Sequence, residues 1–260
     1  RRDHRIATIG SCFAAEIARY LYNKGFISSR TNSFGNIHEN IFIDDDFFNT
    51  YVIREAFETA FEADFDSPNW HNDRGGIIGD KSSRAIHYNS NQIKRLLRNS
   101  DVYIITLGIA EIWYDKVNDT VFPSGLNIDE YDDTRHGFRL STTDENLQNI
   151  ERVYALIRKH RSDASIILTL SPVALNATFR PISCVAANSV SKAVLRVAID
   201  QLCQRHEYDD QLFYYPSYEI VKDHFTDAYD TDGRHVKYEI VKFIMDRFSD
   251  HFQMELSIWQ

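Results

Sequence analysis

Hydrophobic positions along this chain form two patterns, which are short continuous runs and longer stripes with helical spacing. Continuous runs rich in β-branched residues are typical of buried strands. They predict strands at Arg5–Ile9, Phe26–Ser28, Val102–Leu107, Ser165–Leu170 and Leu212–Tyr214. The runs are too short for a bilayer span, which needs about 20 apolar residues, so we expect no membrane-spanning segment.

The stripes predict helices between these runs. After Gly10, the residues Ala14, Ile17, Ala18 and Leu21 follow the spacing of one helix face, and Gly25 is a stop signal. Further helices are expected at Asp46–Phe61, Asn91–Arg98, Thr143–His160 and Asn188–Arg205. The acidic residues Asp44–Asp46 are expected to open the first of these. A final helix is predicted from an apolar stripe of Val236, Ile240, Phe243, Ile244 and Phe248.

Strands that alternate with helices predict βαβ units and a mostly parallel sheet, an α/β fold. In such a sheet the active site lies at the carboxyl ends of the strands. Three loops are expected there, namely those after Ile9, after Leu107 and before the last helix. Residues 67–88 and 115–139 fit no βα unit, and we interpret both as insertions over one end of the sheet, carrying short hairpins. The whole chain, 1–260, is expected to form one domain.

Composition narrows the possible partners. The formal net charge is −9 and no basic run occurs, which argues against nucleic acid, because phosphate contacts need clustered Lys and Arg. Three cysteines without a C-x-x-C pair favour a reducing, cytoplasmic compartment. The chain begins at Arg1 and not at Met, so it also fits a piece of a longer protein. No signal for an oligomeric state is present.

Scattered histidines and the lack of a glycine-rich phosphate loop predict neither a metal nor a nucleotide cofactor. We therefore expect a site built from protein side chains alone, acting on a small molecule.

Ser11 stands where a strand is followed by a helix. The helix N-terminus offers unpaired N–H groups and the positive end of the dipole, and Gly10 permits the tight turn that would expose the hydroxyl. A serine there can attack a carbonyl while its own N–H receives the oxyanion. The alternative is that Ser11 only caps the helix, which serine does well.

A base for this serine is found near the other end of the chain. Asp232-Gly233-Arg234-His235 precedes the final helix, and the spacing lets the carboxylate turn back to the imidazole. The carboxylate would fix the tautomer and stabilise the imidazolium. The alternative is an Asp that caps the helix, followed by a surface His.

These residues resemble a known family. Gly10-Ser11-Cys12-Phe13-Ala14 is the signature that names the GSCFA family, and the resemblance extends over most of the chain. Similar blocks are Asn32-Ser33-Phe34-Gly35-Asn36, Thr106-Leu107-Gly108 with Glu111 and Trp113, Ser171-Pro172-Val173, Asn188 with Ser191-Lys192, Tyr215-Pro216-Ser217-Tyr218-Glu219 and Asp232 to His235. The resemblance places the chain among SGNH, or GDSL-like, hydrolases and implies a three-layer α/β/α flavodoxin-like fold.

The resemblance assigns roles to individual residues. It implies Ser11 as nucleophile, His235 as base, Asp232 as its orienting partner and Gly35 as an oxyanion donor. The third block departs from the family pattern Gly-x-Asn, because this chain has Gly108-Ile109-Ala110. Alanine has no side-chain donor, and the loss of one such donor costs about a hundredfold in rate. Asn36 or Asn188 are the candidate substitutes.

Three further residues have two interpretations each. Glu111 could accept a hydrogen bond from a substrate hydroxyl, or lie on a surface turn. Lys192 shares a helix face with Asn188 and could hold an anionic group, although a solvated lysine is the commoner case. Cys12 would be activated as a thiolate at a helix N-terminus, but it is expected to pack as a small hydrophobe.

The leading functional hypothesis is acyl-ester chemistry through a seryl intermediate, as an esterase, a deacetylase or an O-acyltransferase. The resemblance suggests a carbohydrate or polysaccharide substrate, on which aromatic side chains could stack. One alternative is an inactive carbohydrate-binding or scaffold module, favoured by the missing third-block Asn. Another is a different reaction in the same pocket, with Glu111 as acid or base.

Overall fold

The computed structural model describes residues 4–24, 41–43, 49–62, 90–123, 125–126 and 131–252. Within these ranges the strands are β1 (Ile6–Gly10), β2 (Ile41–Ile43), β3 (Val102–Leu107), β4 (Glu111–Asp115), β5 (Thr120–Val121), β6 (His136–Leu140), β7 (Ser165–Leu170) and β8 (Leu212–Tyr215). The helices there are α1 (Cys12–Asn23), α2 (Thr50–Phe61), α3 (Ser90–Asn99), α4 (Thr143–His160), α5 (Cys184–Arg205), α6 (Ser217–His224) and α7 (Tyr238–His251).

The main sheet is parallel throughout and has the order β2-β1-β3-β7-β8. Counted among its own members this is 2-1-3-4-5, the flavodoxin-like order. Alternate residues of β3 point to opposite faces, with Ile105 in a core that includes α2, α4 and α5, and Ile104 in a second core that includes α1 and α7. The fold is therefore a three-layer α/β/α sandwich, which confirms the parallel α/β sheet predicted from the residue pattern and the layers implied by the family resemblance.

The strand predictions for β3 and β7 are confirmed at both ends, and those for β1 and β8 to within one residue. These strands are covered by helices on both faces, which is why their sequences read as continuous apolar runs. The predicted strand Phe26–Ser28 lies outside the described residues. The second strand of the sheet is β2, at Ile41–Ile43, which pairs with β1.

The helix predictions differ from the structure mainly at the N-termini, where caps decide the start. Helix α2 begins at Thr50 and not at Asp46, because the Asn49 side chain accepts the N–H groups of Tyr51 and Val52. Its first turn holds no acidic residue, and Asp44–Asp46 lie outside the described residues. Helix α5 begins at Cys184 because Ser183 caps it through the N–H of Ala186.

The final helix is shorter than its predicted stripe. Helix α7 begins at Tyr238, so Val236 precedes it and instead forms a bridge with Tyr229. Ile240, Ile244 and Phe248 are buried as predicted, but Phe243 is 42% exposed and packs edge-on against Phe225. One further helix, α6, was not predicted; it is only eight residues long.

A second, antiparallel sheet with the order β5-β4-β6 is built from residues between 111 and 140. This region includes most of the insertion expected at 115–139. It follows β3 directly, so the small sheet extends from the carboxyl end of the main sheet, where the site is expected. The other expected insertion, 67–88, lies outside the described residues.

No helix in the described part of the chain combines the length and the apolar character that crossing a membrane requires.

Gly10 is required by a close approach between β1 and β3. Its φ is +132°, and a Cβ there would lie 2.0 Å from the carbonyl oxygen of Thr106.

We expect Gly10→Ala to lower the free energy of unfolding by more than about 3 kcal/mol, because the backbone of β1 or of β3 must move to make room for the Cβ. Gly233 is a matched control: its φ is +67° but nothing lies within 4 Å. Gly233→Ala should cost only about 1 kcal/mol. Urea denaturation measures both, and equal losses would contradict the close approach.

The start of α4 predicts a specific pH dependence. Glu145 completes a capping box with Thr142 and receives two hydrogen bonds from Arg139, at 2.9 and 2.7 Å. Arg139 lowers the pKa of Glu145 to about 2, so this stabilisation is complete above the ordinary pKa of 4.5 and is lost as the pH falls towards 2. Glu145→Gln should therefore cost about 1–2 kcal/mol at pH 7.

The stability difference between wild type and Glu145→Gln should shrink when denaturation is repeated between pH 5 and pH 2. Other carboxylates titrate in the same interval, but they do so in both proteins and cancel in the difference. A difference that stayed constant down to pH 2 would show that the charge of Glu145 is not what stabilises this helix end.

Candidate active site

Ser11 lies in the turn from β1 to α1, at the carboxyl end of the main sheet. Its backbone carbonyl accepts the N–H of Ala14 at 2.7 Å, but its hydroxyl has no hydrogen-bond partner among the described residues. Ser11 is only 4% exposed. A capping serine would use its hydroxyl on the first turn of the helix, so the interpretation of Ser11 as a cap is not supported. The hydroxyl is left available for another role.

The backbone N–H of Ser11 does not have the predicted role of an oxyanion donor in this structure. It donates to the carbonyl oxygen of Thr106 at 3.3 Å, the same oxygen that approaches Gly10. In this structure it therefore bonds to β3 and is not offered to a substrate.

Asp232 and His235 meet in one tight turn. One carboxylate oxygen of Asp232 accepts the N–H groups of Arg234 and His235 at 2.9 and 3.0 Å. The other is in hydrogen-bond contact with Nδ1 of His235. These donors, the Arg234 N–H first, hold the pKa of the Asp232 carboxyl well below its ordinary range. Because α7 begins six residues later at Tyr238, Asp232 organises its own turn and does not cap the helix.

Two neighbouring cavities bring these groups to one end of the sheet. A cavity of about 400 Å³ contains Ser11 and Arg234, and a second of about 330 Å³ contains His235. Both are also lined by Cys12 and Val173, so the two cavities share part of their wall. The Ser11–His235 hydrogen bond is not formed in this structure, since the serine hydroxyl has no partner.

The third-block position is buried and firmly held. The N–H of Ala110 donates to Ser191 Oγ, and its carbonyl accepts both the N–H and the hydroxyl of Ser141, all at 2.7 Å. Position 110 therefore offers neither a side-chain donor nor a free backbone N–H. Gly108 and Ile109 do line the serine cavity.

Of the two expected substitute donors, only Asn188 is among the described residues, and it does not line the cavity. The side-chain oxygen of Asn188 accepts the N–H of Leu175 at 3.1 Å, so Asn188 anchors the loop between β7 and α5. Gly35 and Asn36, the other predicted oxyanion residues, lie outside the described residues.

Glu111 is buried at the start of β4 and lines the serine cavity. Both of its carboxylate oxygens accept from the Thr178 hydroxyl, at 3.0 and 2.9 Å, and Arg180 lies 3.5 Å away. The interpretation of Glu111 as a surface residue is therefore wrong. The carboxylate ties the β7–α5 loop to the small sheet and faces the same cavity as Ser11.

Lys192 is also buried, which contradicts the expectation of a solvated lysine. It is 2% exposed, and its Nζ donates to the carbonyl oxygen of Gly108 at 2.7 Å. Complete burial lowers its pKa to about 7, an effect that the nearby Cys12 opposes. Lys192 does not line the serine cavity, so Lys192 itself does not contact an anionic substrate group there. Its spacing from Leu195 and Ile199, three and seven residues on, could have placed it on the buried face.

Several residues of the cavity wall were not predicted as site residues. Trp113, Phe138 and Phe179 form an edge-to-face cluster with ring centroids 4.7–5.3 Å apart. Phe179 is 64% exposed, and the three rings also line a larger neighbouring cavity. They come from β4, β6 and the β7–α5 loop, which no spacing in the sequence could bring together.

Arg234 links the Asp232 turn to the cavity wall, because its Nε donates to the carbonyl oxygen of Ala174 at 3.2 Å. Cys12 is half-buried and borders both cavities. Among the described residues, no three His, Cys, Asp or Glu side chains are grouped as metal ligands would be.

Several solved structures are similar to this chain in fold but have low sequence identity to it. A family 3 carbohydrate esterase from Talaromyces cellulolyticus is 10% identical, with a TM-score of 0.46 over 98% of this chain and 100% of that one. The family 3 carbohydrate esterase of Clostridium thermocellum is 12% identical, with a TM-score of 0.45 over 98% and 99%. A GDSL-like lipase from Bacteroides thetaiotaomicron is 13% identical, with a TM-score of 0.41 over 96% and 89%.

No curated protein matches the sequence. The family comparison is decisive, because the sequence model of the GSCFA family matches residues 5–248, nearly the whole length. This chain belongs to the GSCFA family.

Proposed function

We propose that this protein carries out serine-dependent acyl-ester chemistry, with Ser11 as nucleophile, His235 as general base and Asp232 as the residue that orients the histidine. The observation that carries the proposal is the Asp232 turn, in which the carboxylate engages Nδ1 of His235. Nε2 is then the ring nitrogen that can take a proton. The unpartnered hydroxyl of Ser11 at the same end of the sheet is the group that would supply it.

The proton path follows from these roles. His235 Nε2 takes the proton of Ser11 Oγ as the oxygen attacks the ester carbonyl carbon, and Asp232 stabilises the resulting imidazolium without itself taking a proton. The tetrahedral intermediate then collapses, the C–O bond to the leaving alcohol breaks, and His235 returns the proton to that alcohol. The acyl group remains on Ser11 until a second hydroxyl attacks by the reverse path.

The identity of that second hydroxyl decides between an esterase or deacetylase and an O-acyltransferase. Water gives hydrolysis, whereas a sugar hydroxyl gives transfer, and the first half-reaction is common to both. The aromatic cluster of Trp113, Phe138 and Phe179 next to the cavity favours a carbohydrate or polysaccharide, because sugar rings stack on such faces. Glu111 lines the same cavity, and in this proposal it accepts a hydrogen bond from a sugar hydroxyl.

A fluorophosphonate probe tests the nucleophile directly, because it reacts only with an activated serine. We expect a single adduct by intact mass. Ser11→Ala should abolish it, and His235→Ala should slow its formation by at least ~10³-fold, since triad members act as a unit. Ser189→Ala and His224→Ala are matched controls, because both residues are exposed and lie away from the cavities. Both should react like the wild type.

If the wild type formed no adduct, the proposal would fail, and the inactive carbohydrate-binding module would become the better hypothesis. A glycan-binding screen of the unmodified protein would then be the measurement to make. An adduct that persisted in Ser11→Ala would place the nucleophile elsewhere.

Glu111→Gln separates a substrate-binding role from a part in the chemistry. Because the carboxylate is bonded to Thr178 and not to the serine or the histidine, we expect the variant to react with the probe within about fivefold of the wild-type rate. Its Tm should fall by a few degrees, because a buried contact to the β7–α5 loop is weakened. Thr178→Val removes the same hydrogen bond from the other side and should lower Tm similarly. Loss of the adduct in Glu111→Gln alone would indicate that Glu111 acts as acid or base.

A further inference from the structure

Among the described residues, two expected oxyanion donors of the serine cavity are missing or engaged elsewhere. Position 110 is alanine, and its backbone N–H is bonded to Ser191. The N–H of Ser11 is bonded to Thr106. A negative charge that develops on a carbonyl oxygen next to Ser11 needs a preorganised donor, and neither of these groups supplies one here.

The peptide between Gly108 and Ile109 has a fixed orientation. Its carbonyl oxygen accepts the Nζ–H of Lys192 at 2.7 Å. The described residues contain no cis peptide bond, so the N–H of Ile109 points in the opposite direction, away from Lys192. Among the described residues this N–H has no hydrogen-bond partner.

This N–H belongs to the wall of the serine cavity. Gly108 and Ile109 both line the cavity that contains Ser11, whereas Lys192 lies behind them, fully buried. The carbonyl of the peptide is therefore turned towards the buried Lys192, and its N–H is turned away from that lysine, between two residues of the cavity wall.

Lys192 is an unusual residue to use for this contact. Burying an amino group is costly, and a carbonyl could be satisfied by a smaller, uncharged donor. A cation on the carbonyl oxygen polarises the peptide and makes its N–H a stronger donor. The neutral amine also donates an N–H, so the orientation of the peptide does not depend on the protonation state of Lys192.

We propose that the backbone N–H of Ile109 is an oxyanion donor that takes the place of the missing third-block Asn side chain, and that Lys192 is the positioning residue that orients it. The inference rests on the proposed function, because it concerns the transition state of the Ser11 reaction. It assigns Ile109 to the catalytic machinery through its backbone and Lys192 through its contact with Gly108.

The test compares two substitutions at one position. Ile109→Pro removes the N–H, whereas Ile109→Ala keeps it and changes only the side chain. With p-nitrophenyl acetate as the probe, Ile109→Pro should lower kcat by about a hundredfold or more, with KM within about threefold. Ile109→Ala measures what the side chain alone contributes, and the loss of kcat in Ile109→Pro should exceed the loss in Ile109→Ala by about tenfold or more, because Ile109→Ala keeps the donor.

Lys192→Met tests the positioning role without a change in backbone chemistry. It keeps the length of the side chain and removes the donor, and kcat should fall by about tenfold or more at nearly constant KM. Tm is measured in parallel. If kcat stayed within about threefold of the wild-type value in both Ile109→Pro and Lys192→Met, the inference would be overturned.

A third measurement remains decisive if Ile109→Pro does not fold. In the wild type, a phosphonate adduct on Ser11 places an oxygen where the oxyanion would lie, and the amide proton of Ile109 should move downfield in an NMR spectrum. An unchanged Ile109 amide in a protein that carries the adduct would overturn the inference alone. A wild type that forms no Ser11 adduct would instead overturn the proposed function, and this inference with it.

Discussion

The approach of β1 to β3 at Gly10 is the constraint on which the site depends. The carbonyl oxygen of Thr106 occupies the space of a side chain at position 10 and accepts the N–H of Ser11. Any residue with a Cβ would push the two strands apart at their carboxyl ends. The close contact thus places Ser11 directly beside the end of β3, from which the Gly108–Ala110 loop continues. The nucleophile and the loop that faces it are positioned by one pair of strands.

The remaining loops are tied to this point by buried polar contacts. Lys192 on α5 holds Gly108, Ser191 beside it holds Ala110, and Glu111 holds Thr178 on the β7–α5 loop. Each contact joins two elements that are distant in sequence. Because the loss of one partner leaves the other buried and unsatisfied, such contacts specify one arrangement of the cavity wall. Helix α5 therefore serves as a support for the site as well as a layer of the sandwich.

The sequence predicted the elements with strong periodicity and the fold class, and it predicted fewer of the contacts between them. Strands β3 and β7 are covered on both sides, so their apolar runs were unambiguous. Strand β2 has three residues, and β5 two, too few for any period to show. Lys192 was expected to be solvated and the burial of Glu111 was left open, for a different reason. A charged residue is usually solvated, and only its partner, here Gly108 or Thr178, reveals that it is buried.

The two halves of the proposed triad are held in different ways. Ser11 is buried and is fixed by Gly10 and Thr106. His235, in contrast, is about half exposed and belongs to the short turn that the bridge between Tyr229 and Val236 closes. Asp232 accepts from the backbone of this turn and contacts the ring, so turn and ring form one small unit. The Ser11–His235 hydrogen bond of the proposed triad therefore forms only after one of the two groups moves, since the serine hydroxyl has no partner in this structure. Catalytic hydrogen bonds commonly tighten only when substrate is bound. Because moving Ser11 would mean separating β1 from β3, we expect the adjustment to fall on the histidine side.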